Sequence, residues 1–327
     1  MELGGKTVLI TGGAGFIGST LSELLLRLGS SVVAYDNLDD FYDGKEENVE
    51  GLLSSTHFKL VRETILNSYA LERSMKGVDV VFHLAAQAGV RYCMNHPEKA
   101  HETNVTGTLR VLEAARKATV KKVIFASSSS VYGVPVKIPI DESHPLQPTN
   151  LYGATKLAGE KYCLAYARTY GIEVVCLRYF SVYGPRGRPD QVISSFASAI
   201  LEGRPPEIFG DGSQSRDFTF ISDVVSATAL SAMRDGISGE VFNIGYGKEF
   251  TINAVAEMVG RHYGSRDPPH HLKAYSGDFP RTLCSNAKAS KGLDWRPQVS
   301  FQEGLPKFLD WYSHWTSKNS QAKVLPS

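Results

Sequence analysis

Tyr152 and Lys156 stand four residues apart in a stretch with helical apolar spacing, so both side chains fall on one helix face. An ammonium beside a phenol stabilises the phenolate and draws the tyrosine down from its ordinary pKa of ~10. Such a tyrosine can take the proton of a hydroxyl group while the carbon that bears it is oxidised. Lys156 is also placed to hold a ribose. Serines 127–130 follow directly on the apolar stretch Val123-Ile124-Phe125-Ala126. They fall at the C-terminal end of a predicted parallel strand, where open α/β sheets bind ligands. A hydroxyl there can share the proton with Tyr152.

A second constellation supplies the oxidant. Thr11-Gly12-Gly13-Ala14-Gly15-Phe16-Ile17-Gly18 lies between the apolar strand Thr7-Val8-Leu9-Ile10 and a helix predicted from Phe16 to about Leu28. Gly12 permits the sharp turn, Gly15 lets backbone approach a pyrophosphate, and Gly18 lets helix and strand pack closely. The helix start offers free N–H groups and partial positive charge to the anion. The next strand, Ser31-Val32-Val33-Ala34-Tyr35, ends at Asp36, eighteen residues after Gly18. A carboxylate at that place accepts from the adenosine ribose hydroxyls and repels a 2′-phosphate, which favours NAD over NADP.

These groups need a scaffold. Further strands are predicted at Val78-Asp79-Val80-Val81-Phe82, at residues 122–126 and at residues 173–178, with helices near 103–118 and 152–170. The alternation implies an α/β fold: a Rossmann-type doubly wound parallel sheet with a smaller C-terminal α/β substrate-binding part. We expect residues 1–180 to form the NAD-binding part and 181–327 the substrate part, with an interleaved boundary because a strand near 241–244 can return to the main sheet. Helices are expected near 191–202, 222–234 and 251–263, a loop over 264–280, and a frayed polar end over about 315–327. The chain has 327 residues, 35 Lys and Arg against 34 Asp and Glu, and a formal charge of +1. That balance argues against a nucleic-acid partner. No apolar run approaches the ~18 residues that span a membrane, and no secretory signal is visible. Cys93, Cys163, Cys176 and Cys284 are widely spaced, as expected of reduced thiols in a cytoplasmic protein. The His270-His271 pair has no further ligand at useful spacing, so no metal is expected.

Together these segments resemble the extended short-chain dehydrogenase/reductase family, in its nucleotide-sugar epimerase branch, over nearly the whole chain. The resemblance rests on T-G-x-x-G-x-x-G at residues 11–18, Asp36, His83-Leu84-Ala85-Ala86, Asn104-Val105-x-Gly107-Thr108, and Ser129-Ser130-Val131-Tyr132-Gly133. It continues through Tyr152 and Lys156, Arg178-Tyr179-Phe180-Ser181-Val182-Tyr183-Gly184-Pro185, and Gly210-Asp211-Gly212-x-x-x-Arg216-Asp217-Phe218. It implies that Tyr152 is the catalytic base and acid, that Lys156 tunes it and binds ribose, and that Ser128 is the helper hydroxyl. It implies NAD contacts from Gly12, Gly15, Phe16, Ile17, Asp36, Asn37, Leu84, Ala85, Ala86, Asn104 and Tyr179. The chain departs from the family at Glu63-Thr64-Ile65, where an Asp often binds the adenine amino group.

Several reactions begin alike in this branch, with oxidation of a nucleotide sugar at C4 to a 4-keto intermediate. The resemblance implies that dehydratases carry Asp-Glu immediately before V-Y-G and decarboxylases a Glu; Ser129 and Ser130 stand there instead. What remains is 4-epimerisation, in which the keto sugar turns over and the hydride returns to its other face. Ala88-Gly89-Val90-Arg91-Tyr92 and Tyr183-Gly184-Pro185-Arg186-Gly187-Arg188-Pro189-Asp190 resemble the UDP-glucuronate 4-epimerases. That likeness implies that Arg188 faces the sugar carboxylate, which a guanidinium binds at two points. Arg91, Ser129, Ser130 and Ser181 are further sugar-site candidates. Arg216 and Arg281 are expected at the UDP pyrophosphate, Asp278 at the uridine ribose and Phe209 at the uracil. The alternatives are a UDP-glucose/UDP-galactose 4-epimerase, and a protein that binds NAD(H) without turnover. The resemblance also implies a homodimer through the helices near 103–118 and 152–170.

Overall fold

A computed structural model describes residues 1–274 and 279–322, with side chains described to residue 318. Six strands, β1 (Thr7–Thr11), β2 (Ser31–Asp36), β3 (Phe58–Arg62), β4 (Val80–His83), β5 (Lys122–Ser128) and β6 (Glu173–Tyr179), belong to one sheet. β7 (Ser181–Tyr183), β8 (Glu207–Phe209) and β9 (Ser215–Phe220) lie outside it. β10 (Val241–Ile244) rejoins it beside β6, and β11 (Glu249–Thr251) and β12 (His270–Leu272) leave it again. The main sheet has the order β10-β6-β5-β4-β1-β2-β3, and all its neighbours run parallel. The order reverses between β1 and β4, which opens the crevice that a doubly wound sheet offers to a dinucleotide.

The apolar runs form strands because both faces of the sheet are covered. Val8, Ile10, Val80, Phe82, Ile124 and Val175 pack into one core; Leu9, Val81, Val123, Phe125, Val174 and Cys176 pack into the other. Alternate residues of one strand thus serve opposite faces, as the two-residue period of a strand requires. The helix Leu151–Tyr170 begins where the Asn150 side chain accepts the Gly153 N–H at 2.8 Å, and it stops at Gly171 in the left-handed region. Two small sheets hold the C-terminal part: β11-β9-β7, and β8 paired with β12.

Four features differ from the sequence expectations. β3 was not anticipated; its Lys59 and Arg62 belong to an edge strand that faces water. The helix expected near 103–118 is two pieces, a π-helical turn Glu102–Thr106 followed by an α-helix Gly107–Lys117. The loop expected over 264–280 contains β12, which pairs with β8. Of the expected frayed end, residues 315–322 are helical, continuing a helix in which Phe301, Leu305, Phe308, Leu309 and Tyr312 are buried and Trp315 stacks on Trp311, and residues 323–327 lie outside the described residues. No helix of the described residues is long and apolar enough to cross a membrane.

Candidate active site

The glycine loop turns directly off β1. Gly12 has φ +71°, and a Cβ there would stand 2.8 Å from the Ala85 nitrogen. A Cβ on Gly18 would stand 2.1 Å from the Gly12 carbonyl oxygen, so the first helix packs on the loop only through a bare α-carbon. Gly15 precedes the helix Phe16–Arg27, whose first N–H groups have no side-chain cap from that residue. Phe16 N–H instead donates to the Tyr42 hydroxyl at 3.1 Å. Asp36, at the end of β2, is buried and accepts the N–H of Ala14 (3.0 Å) and of Leu38 (2.9 Å). Burial raises its pKa above the usual carboxylate value and outweighs the two N–H donors that oppose it. Asn37 beside it is exposed. At the departure from the family, Thr64 N–H bonds to Glu63 and the Thr64 carbonyl accepts from the Tyr35 hydroxyl.

The floor of the crevice is a chain of buried hydrogen bonds. His83 bridges the Thr11 hydroxyl (2.7 Å) and the Thr108 hydroxyl (2.9 Å), and burial drives its pKa down to about 3, so the ring is neutral. Leu84 and Ala85 N–H donate to the Thr11 carbonyl and hydroxyl, which lays residues 84–86 against the glycine loop. Asn104 sits in the π-helical turn; its amide exchanges bonds with Gln87 backbone N–H and C=O and reaches the Thr155 hydroxyl at 2.9 Å. π-turns recur at functional sites because the wider turn re-aims a side chain.

Tyr152 and Lys156 lie on one face of the helix Leu151–Tyr170, and the Ser128 hydroxyl at the end of β5 is a hydrogen-bond partner of Tyr152. Burial holds the Tyr152 pKa above its ordinary value, while Arg188 and Ser128 pull against that rise. This differs from the lowering expected from Lys156: the dry surroundings penalise the phenolate more than the visible charges favour it. The same dryness pushes Lys156 down to about 8, and its ammonium lies 4.7 Å over the Phe125 ring. Ser129 and Ser130 follow in a 3₁₀ turn, partly buried, and Ser130 N–H caps back to Ser128 at 3.1 Å. Behind them the Ser127 hydroxyl donates to Glu160 (2.7 Å), which pairs with the buried Arg178; Arg178 also donates to the Tyr132 hydroxyl at 2.8 Å. Tyr179, next in β6, has its hydroxyl tied to Thr228 at 2.7 Å, so only its ring and backbone remain for a ligand.

The C-terminal part closes the other side. The Arg188 guanidinium lies within electrostatic reach of the Tyr152 phenol and forms a two-point pair with Asp190, at 2.8 and 3.0 Å. Ser181 opens β7, which pairs with β9. Arg91 stacks on the Phe209 ring at 3.9 Å. Arg216 stands on β9 and Arg281 bridges to its neighbour Ser215, which brings both arginines to one edge. There Arg281 is paired with Glu249. Asp278 lies outside the described residues.

Sequence reasoning missed the segment after β2. Asp39 accepts from Lys45 and Gln87 and lies 3.8 Å from Lys99; Tyr42 reaches the first helix, and Phe41 packs on Tyr92 with ring centres 4.4 Å apart. The acidic and aromatic run Asp39-Asp40-Phe41-Tyr42-Asp43 was the available signal, but no spacing rule tied it to the site.

Comparison with known proteins places the chain in a family. Residues 8–245 match the model of the NAD dependent epimerase/dehydratase family. A UDP-glucuronate 4-epimerase of Thermodesulfobacterium geofontis is 39% identical over 93% of this chain and 95% of its own. A UDP-glucose 4-epimerase of Mycolicibacterium smegmatis is 38% identical over 93% of this chain and 97% of its own. The crystal structure of UDP-glucuronic acid 4-epimerase from Bacillus cereus, in complex with UDP-glucuronic acid and NAD, superposes with TM-score 0.91 at 36% identity and covers 94% of this chain and 99% of that one. With the crevice, the glycine cradle and the Tyr152–Lys156 pair in place, the chain belongs to the NAD dependent epimerase/dehydratase family.

Proposed function

We propose that this chain is an NAD-dependent 4-epimerase of a UDP-hexuronate, interconverting UDP-glucuronate and UDP-galacturonate through a transient 4-keto sugar. The observation that carries the reading is a guanidinium, Arg188, within electrostatic reach of the phenol of Tyr152 and paired with a carboxylate, Asp190, at two points.

The residues present fit NAD. The Gly12–Gly18 approach leaves room only for backbone, the start of the first helix faces the crevice, and the buried Asp36 ends β2 where a ribose diol is read. Bound NAD supplies a hydride acceptor for the sugar C4 and, once reduced, a donor to either face of the ketone. Lys156, next to Tyr152 on the same helix face, holds the nicotinamide ribose. Asn104 fixes Gln87 and the segment around it. The Tyr152 phenol takes the proton of the C4 hydroxyl and returns it, with the Ser128 hydroxyl sharing that proton. Arg91, expected at the sugar, is stacked on Phe209 and so joins it at the uracil instead, and Arg216 and Arg281 serve the pyrophosphate. Ser129, Ser130 and Ser181 line the sugar. Arg188 holds the carboxylate at two points through the cycle. A 4-keto hexuronate is a β-keto acid that loses CO₂ once its carboxylate stands perpendicular to the ring, and a tethered carboxylate resists that rotation.

The test is product analysis by NMR after incubation with UDP-glucuronate. The expected product is the C4 epimer, with no pentose and no free NADH. Arg188→Met is expected to lower kcat/KM for UDP-glucuronate by about a hundredfold, as loss of one partner of a desolvated charge pair does. The similarity to a UDP-glucose 4-epimerase supports a second reading, a neutral-sugar enzyme. Comparable turnover of UDP-glucose, with Arg188→Met unaffected, would establish it. We further infer a homodimer through the helices Gly107–Lys117 and Leu151–Tyr170, and a cytoplasmic setting in keeping with four buried free thiols.

A further inference from the structure

Asp190 occupies one edge of the Arg188 fork. Its Nε donates to Oδ1 of Asp190 at 2.8 Å and its Nη2 to Oδ2 at 3.0 Å. This parallel pairing is the way a guanidinium takes any carboxylate, and one fork edge cannot hold two carboxylates at once. The position of Asp190 is built rather than incidental. Pro189 joins the two residues with a fixed φ, and a Cβ on Gly89 would stand 3.0 Å from Asp190 Oδ2 and 3.4 Å from Phe41. The guanidinium itself rests 5.9 Å from the Phe41 ring centre. The two partners are unequally exposed: the Asp190 side chain is 38% accessible and that of Arg188 is 20%. A carboxylate leaving this pair therefore has water to enter, while the guanidinium stays in the site.

We propose that Asp190 is an internal stand-in for the ligand carboxylate, occupying the Nε–Nη2 edge of Arg188 in the free chain and giving that edge up to the carboxylate of a UDP-hexuronate. The inference rests on the reading of Arg188 as the carboxylate anchor. It makes Asp190 a specificity-determining residue. A neutral hexose has no anion with which to displace Asp190 and meets a guanidinium already neutralised. A uronate that takes this edge exchanges one carboxylate for another, so it binds less tightly than an unoccupied edge would allow. The pair is partly solvent-exposed, so the exchange costs little and the effect is modest.

Calorimetric affinities of NAD-loaded protein for UDP-glucuronate and UDP-glucose, in a Tyr152→Phe background that stops turnover, give the ratio that tests this. Asp190→Asn is expected to raise the preference for UDP-glucuronate by about fivefold. Asp190→Ser, which removes the carboxylate without supplying an amide, must move the ratio the same way. In an Arg188→Met background the effect of Asp190→Asn must vanish. An unchanged or reduced ratio would show that Asp190 merely orients Arg188 and would overturn the proposal. Persistence of the shift without Arg188 would overturn it too, since it would then be through-space repulsion. Failure of the uronate reading looks different: the protein with Asp190 and Arg188 intact would favour UDP-glucose, while the ratio would still report whether Asp190 blocks the fork.

Discussion

At the scale of residues, the site holds two groups whose proton affinities burial has driven apart: Tyr152 is pushed up, and Lys156 is pushed down to about 8. A phenol in dry surroundings needs nearby cations to ionise, and Arg188 and Lys156 are the cations at hand. Removing the phenol hydroxyl by Tyr152→Phe is expected to cut kcat by about 10²–10⁴, the usual weight of a general acid–base group, with substrate affinity nearly kept. Single-turnover and binding measurements separate the two. The pH dependence follows from Lys156. Its folded pKa is depressed, so the ammonium is present below about 8 and is lost above it. The profile of kcat/KM should therefore fall as pH rises through about 8. Lys156→Arg, which keeps its charge at any working pH, should lower the maximum and move that limb upward. A limb that stays in place would assign it to another group.

At the scale of elements, the helix Leu151–Tyr170 is tied to the sheet through a buried ion pair. Glu160 follows Lys156 by one helical turn and binds Arg178 of β6 and Ser127 of β5. Glu160→Ala leaves Arg178 buried without its carboxylate and should cost about 3–5 kcal/mol. Replacing both partners by Met should cost much less, because no lone charge remains. Urea denaturation of the single and double variants measures the difference; equal losses would mean that packing, not charge, holds the helix. Elements of this kind were the legible part of the sequence. Strands β1, β2, β4, β5 and β6 show as apolar runs because both faces are covered, and the glycine loop shows because close approach excludes a Cβ. β3 did not show, because an edge strand carries Lys59 and Arg62. The C-terminal helix was obscured by Pro306 and by its polar outer face. At the site, Tyr152, Lys156 and Asp36 stand out by their spacing, and Ser128 by the family resemblance alone. Asp39, Tyr42 and Gln87 do not stand out: their roles come from contacts across 48 residues or fewer of intervening fold that no local period encodes.

At the scale of the whole molecule, the C-terminal helix packs on the segment that follows β2. The C-terminal helix places Trp315 against Gly44, with a carbon of its ring 3.5 Å from where a Cβ would stand, and its indole N–H donates to Glu47 at 3.0 Å. Those residues flank Tyr42, which accepts the Phe16 N–H, and Asn48, whose amide donates to the Ala14 carbonyl at 3.1 Å. Arg186 adds a tie from the C-terminal part to Glu23 on the first helix. Trp315 thus braces the glycine loop through one short segment. Coupling carried by packed side chains of this kind typically amounts to about 0.5–2 kcal/mol. Trp315→Ala should accordingly weaken NAD binding by about fivefold while leaving the affinity for a UDP-sugar in NAD-saturated protein unchanged. Calorimetric titration of cofactor-stripped protein reads the first quantity, and titration of the saturated protein reads the second. A loss shared equally by both would mean that the helix supports the fold at large; unchanged affinity for both would mean that residues 42–48 hold the loop without it.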